Sequence, residues 1–125
     1  MKKIKKSLNR SKDPRKQRKL LAKAPLHIRQ NFMRVMLSKE LRTKNKKRNI
    51  QLRKGDEVKV MRGQFRGKTG NVKEVMLKKV KVYVEGIELV KKDGAKAQYP
   101  IHPSNLMITK IVSEDKKRNK AMERK

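Results

Sequence analysis

The chain has no cysteine and no tryptophan, and two Phe and two Tyr are its only aromatic side chains in 125 residues. Without cysteine there are no disulfides, no thiolate metal ligands and no thiol nucleophile, and a reducing intracellular setting is expected. Phe32, Phe65, Tyr83 and Tyr99 are too few for the series of stacking platforms that single-strand binders usually present. Long apolar runs are missing too. Nothing approaches the roughly 20 apolar residues of a membrane span, and the basic start MKKIKKSLNRSKDPRKQRK lacks a signal-peptide core. Acidic residues are scarce, and Asp56, Glu57, Glu74, Glu85 and Glu88 are scattered with no paired nucleophile, so no enzymatic activity is expected. His27 and His102 lie in separate segments with no thiolate near them, which argues against a metal site or a cofactor.

What is abundant is positive charge: 39 Lys and Arg against 11 Asp and Glu, a formal net charge of +28. Such a surplus repels itself unless a polyanion neutralises it. Nucleic acid is that polyanion, because each cation that meets a phosphate releases a condensed counterion. With so few aromatics, the expected partner is folded RNA read through shape and phosphates.

The charge is unevenly spread. Residues 1–50 hold 19 basic and 2 acidic side chains and read as a basic, partly helical or extended N-terminal arm. Residues 51–112 hold 14 and 6 and contain most of the apolar residues, so a core is expected there. Residues 113–125 hold 6 and 3 and read as a short basic tail, with Ser113 as the cap of a short helix. Val58 and Val60, then Val80, Val82 and Val84, alternate with polar residues at strand period. Turn signals punctuate the segment at Gly55-Asp56, Gly63, Gly67, Gly70-Asn71, Glu85-Gly86 and Asp93-Gly94. Short strands so spaced predict a mainly β fold, a small antiparallel barrel. Upstream, Asp13-Pro14 starts a helix that runs to Lys23, before Pro25. A second helix is expected from Leu26 to Leu37 on the stripe Ile28, Phe32, Val35 and Met36, with Met33 and Leu37 off that stripe. Ser38 to Lys47 extends or restarts helix, and Lys44 to Arg48 reads as a phosphate-facing linker.

The richest constellation is RKGDEVKVMRGQFRGKTGNVKEV, residues 53–75. Its glycines permit backbone conformations or close approaches that a β-carbon would hinder, and Arg62, Arg66 and Lys68 surround them. Two readings stand: a loop laid against a sugar-phosphate backbone, or a tight turn with solvated cations. Gly63 to Thr69 also approximates a phosphate-binding P-loop, but it has three residues between its glycines where four are needed, and no helix follows. For His102, a local hydrogen bond in the turn and a contact to RNA are both open.

The segment from Leu52 to Glu85 resembles the KOW motif, found in ribosomal proteins and transcription elongation factors. The flanks PRKQRKLLAKAPLHIRQNFMRVMLSKELRTKNKKR and YPIHPSN are similar to the archaeal and eukaryotic branch of the universal large-subunit ribosomal protein family numbered twenty-four, with the downstream form leaning archaeal. The resemblance covers residues 14–112 and implies an SH3-like (KOW) barrel that binds the 5′ domain of large-subunit rRNA. It further implies a role early in assembly, a place near the polypeptide exit tunnel in the cytoplasmic ribosome, and neighbouring ribosomal proteins as partners. No small-molecule substrate, membrane or homo-oligomer is expected. The expected RNA-facing residues are Arg15, Lys16, Arg18 and Lys19 on the first helix; His27, Arg29 and Arg34; Lys46, Lys47 and Arg48 in the linker; Lys54; Arg62, Gly63, Arg66, Gly67 and Lys68 in the glycine loop; Lys78 and Lys79; and His102, Ser104 and Asn105. The alternative is a KOW-type transcription elongation factor that binds polymerase. Such factors usually carry a further acidic domain for which a chain of this length has no room.

Overall fold

A computed structural model describes residues 11–112 and 115–123. The expected Ser113 cap lies outside them. Helix α1 spans Pro14–Lys23, as its signals predict: the Asp13 side chain accepts the Arg15 N–H at 2.9 Å and proline occupies the first turn. Helix α2, Leu26–Phe32, begins after Pro25.

The helix expected to reach Leu37 stops at Phe32, and Arg34–Leu37 forms strand β1. Met33 and Leu37, which lie off the helical stripe, explain the switch. With Val35 they form a face of period two, all buried to 1% exposure or less, while Arg34 and Met36 point outward. Helix α3, Lys39–Asn45, restarts behind Ser38, whose side chain accepts the Leu41 N–H. It ends at Lys46 in a left-handed conformation, and β2, Asn49–Gln51, returns antiparallel to β1.

The remaining strands are β3 (Glu57–Val60), β4 (Thr69–Met76), β5 (Lys81–Val84), β6 (Glu88–Val90), β7 (Lys96–Gln98) and β8 (Leu106–Lys110). Six of them pair in the order β2-β1-β8-β3-β4-β5, with β6 and β7 a separate hairpin. The expectation of a closed antiparallel barrel is corrected on two counts. Strand β1 runs parallel to β8, because the chain enters from α2 alongside the last strand, and the edge strands β2 and β5 do not pair with each other. The result is an open, mixed sheet. Val58, Val60, Val72, Val82, Val84, Leu106 and Ile108 still point to one side and join Met33, Val35 and Leu37 in a single core. At Gly70 a side chain is excluded for steric reasons: a Cβ there would lie 2.5 Å from the Glu85 carbonyl oxygen, so β4 can approach the end of β5 only without one.

Helix α4, Lys116–Glu123, is tied to the sheet by the most buried polar contact of the described residues. The Arg118 guanidinium donates through both terminal nitrogens to the two Asp56 carboxylate oxygens, each at 2.6 Å, with Asp56 0% and Arg118 4% exposed. Asp56 also accepts the backbone N–H groups of Arg53 and Val112, so its acceptor sites are well filled. Arg118 further donates to the Gln51 carbonyl at 3.1 Å, which occupies an acceptor on edge strand β2. Arg53 with Asp115, and the Lys47 ammonium with the Ala121 carbonyl, add two outer ties.

Removing one member of such a pair leaves the other charge buried and uncompensated, at a cost of roughly 3–5 kcal/mol. Arg118→Met is therefore expected to lower the urea-unfolding free energy by about that amount. The double variant Asp56→Asn/Arg118→Met should lose clearly less than Arg118→Met alone. Equal losses would show that the two charges do not compensate each other.

Candidate nucleic-acid interface

The expected cations do not form one uniform coat. Two clefts share a wall at His102 and gather many of them. The first, of about 390 Å³, runs between α1 and the turn joining β4 to β5 and is lined by Arg18, Leu21, Ala22, Arg29, Lys78, Lys79, Val80 and His102. The second, of about 120 Å³, lies between the glycine loop and the β7–β8 connection and is lined in part by Arg62, Gly63, Lys81, Tyr99, His102 and Asn105. Residues distant in sequence thus meet around His102. Arg15, Lys16 and Lys19 stay exposed on α1, and His27 stays exposed on α2.

Arg29 is placed otherwise than a free phosphate ligand would be. Its Nε donates to the Ala24 carbonyl at 2.8 Å, and its two terminal nitrogens donate to the carbonyls of Lys78 at 2.6 Å and Ala22 at 2.9 Å. The guanidinium therefore staples the α1–α2 junction to the β4–β5 turn and fixes Lys78 and Lys79 beside Arg18. The guanidinium's donors, spread over three nitrogens in one plane, reach three carbonyls that lie apart. The same turn holds Val80 at φ 53°, a left-handed conformation that is strained for a β-branched residue.

In the glycine loop, Gly63 and Gly67 adopt φ of 92° and 89°, and the space where their side chains would stand is empty to 4 Å. The loop closes on the sheet through Gly67 N–H to the Val60 carbonyl and Val60 N–H to the Lys68 carbonyl. Arg62, Arg66 and Lys68 are all exposed there, and the Lys68 ammonium stands 5.3 Å from the centre of the Phe65 ring.

His102 caps the 3₁₀ turn Pro103–Asn105: its Nδ1 accepts the Ser104 N–H at 3.3 Å and lies 2.8 Å from the Ser104 hydroxyl. With Nδ1 an acceptor, the proton of the neutral ring sits on Nε2, which becomes the donor available to a ligand. Burial first, then the Lys81 ammonium, holds this imidazole below its ordinary pKa of 6.5. The ring is therefore neutral at pH 7.

Other expected residues lie outside the paired clefts. Arg34 is exposed on β1 and bonds Asn31 at 3.3 Å. Lys46 and Arg48 are exposed in the linker, whereas Lys47 is engaged by α4. Lys54 lines a separate groove with Arg53, Lys73, Glu74, Val75 and Leu77. Gln64, Phe65, Lys81 and Tyr99 also line the smaller cleft and Lys73 the groove beside Lys54; the strand positions of Lys73 and Lys81 look in the sequence like those of ordinary outward lysines. Among the described residues no three His, Asp or Glu side chains gather as a metal centre requires. No helix of the described residues is long and apolar enough to cross a membrane.

Comparison with known proteins gives concordant matches. A family model described as "Ribosomal proteins L26 eukaryotic", together with their archaeal counterparts numbered twenty-four, matches residues 11–125. A relative in Methanosphaera stadtmanae, "Large ribosomal subunit protein uL24", is 50% identical over 115 residues, which is 92% of this chain and 98% of that relative. Both extend beyond the central sheet, and the family match takes in the C-terminal segment that carries Arg118.

Two expectations follow from the geometry. Arg29→Ala should lower stability by about 1–3 kcal/mol and speed amide exchange at Lys78 to Lys81, while exchange in β3 and β8 changes little. For His102 the folded pKa is depressed, so its contribution to stability is present above about pH 6.5 and is lost as the pH falls through the folded value. Thermal melts from about pH 7.5 down to about pH 5 should show a wild-type decline that is smaller in His102→Ala; parallel declines would remove this role.

Proposed function

The chain belongs to the archaeal and eukaryotic ribosomal-protein family whose model spans it, and from that membership we propose that it is a structural constituent of the large ribosomal subunit. It is not an enzyme; its work is to bind ribosomal RNA and hold RNA segments in place. One observation carries the binding reading: Arg18, Lys78, Lys79, Lys81 and Arg62, drawn from α1, two turns and a strand, line clefts that meet at His102. Cations that the fold gathers around one point suit the phosphates of a folded RNA, which is read through shape and backbone contacts.

The finer reading has the sheet as an SH3-like module of the KOW type, supported by a single core to which every strand of the six-stranded sheet contributes. The RNA bound is the 5′ domain of large-subunit rRNA, contacted early in assembly, with a final place near the polypeptide exit tunnel in the cytoplasm. Neighbouring large-subunit proteins are the other partners, and the protein acts as a single copy. The polymerase-binding alternative has no counterpart in the family matched. In this reading α1 meets phosphates through Arg15, Lys16, Arg18 and Lys19, and the glycine loop does so through Arg62, Arg66 and Lys68.

Affinity for a transcript of the 5′ domain is expected to fall linearly with salt on logarithmic axes. Replacing Arg15, Lys16, Arg18 and Lys19 together by Gln should reduce the slope by about 2–3 with the sheet still folded by circular dichroism. A flat salt response in the wild type would contradict the mechanism.

A further inference from the structure

The scarcity of aromatics argues against a stacking ladder, yet the fold brings two of the four together. Phe65 in the glycine loop and Tyr99 after β7 have ring centroids 5.1 Å apart at 55°. Phe65 is partly buried against the core, whereas Tyr99 is 36% exposed at the rim of the smaller cleft. We propose that this cleft takes one unpaired nucleobase of the bound RNA, stacked on Tyr99; the proposal rests on the RNA-binding reading above and adds a base contact to it.

Chemistry points this way, and size limits what can enter. The cleft's volume of about 120 Å³ is below the roughly 150 Å³ of an engineered cavity that encloses one benzene ring, so a nucleobase enters in part, with one face covered and its far edge left in the open mouth. A duplex is far too large. A base needs a flat apolar face, in-plane donors and acceptors at its edge, and a cation for its phosphate. Tyr99, backed by Phe65, supplies the face. Edge partners are the amides of Gln64 and Asn105, each both donor and acceptor, and the Nε2 proton of neutral His102. Arg62 and Lys81 supply the cations. Gly63, with open space where a side chain would stand, lets a sugar-phosphate backbone pass close to the rim. A site for phosphate alone would have no use for the aromatic wall.

The absence of tryptophan makes the test direct, because Tyr83 and Tyr99 are the only tyrosines. In a Tyr83→Phe protein, emission comes from Tyr99. It should be quenched on binding a transcript of the 5′ part of large-subunit RNA and unchanged by a fully paired RNA duplex. Tyr99→Leu, which keeps an apolar contact with Phe65, should weaken transcript binding about tenfold, the scale of one lost base stack, at an unaltered salt slope. Tyr99→Phe should restore the affinity. Wild-type affinity in Tyr99→Leu, or equal quenching by the duplex, would overturn the base site and leave the phosphate reading standing. Failure of the wild type to bind the transcript at all would instead overturn the RNA reading on which the base site rests.

Discussion

Charge of one sign is the constraint to which everything else in this molecule answers. A net +28 on 125 residues cannot be balanced internally, because 11 carboxylates face 39 cations. The fold therefore has to be held by neutral contacts and by very few well-placed ion pairs, and the remaining repulsion has to be relieved by something outside the chain. The apolar residues accordingly converge on one core despite their modest share of the sequence. Most lysines and arginines stand at outward positions.

Within that constraint, the one fully buried carboxylate among the described residues has a large role. Asp56 accepts from Arg118, Arg53 and Val112, joining the turn before β3, the end of β8 and the C-terminal helix at one point. The Arg29 staple ties a second place in the fold, binding the α1–α2 junction to the β4–β5 turn through backbone carbonyls. In both places an arginine acts inside the fold. The Arg29 bond to the Lys78 carbonyl holds the backbone of the turn that carries Lys78 and Lys79.

Much of this is legible in the sequence where the signal is local. Asp13-Pro14 announces α1, alternating valines announce β3 and β5, and the glycines of residues 63–70 announce a tight turn because their conformational demands are written in one residue type. Segment 33–37 misleads because Ile28, Phe32, Val35 and Met36 fit a helical stripe while Met33, Val35 and Leu37 fit a strand, and only the burial available beside β8 decides between them. Arg118 looks like any tail cation and Asp56 like any turn residue, since a pair 62 positions apart leaves no local trace. Arg29 stands out in the sequence, but its partners are carbonyls, which no side-chain pattern reveals. The meeting of Phe65 with Tyr99 depends on the loop and the β7–β8 connection arriving at the same edge, a tertiary fact.

The surplus cations of this chain call for neutralisation by the RNA of the large ribosomal subunit. Quantifying the native protein across a sucrose gradient of cell lysate tests it most directly. Nearly one copy per large subunit is expected, with little protein at the top of the gradient. A native protein that sediments free of ribosomes, or that distributes equally among unrelated polyanions, would contradict it.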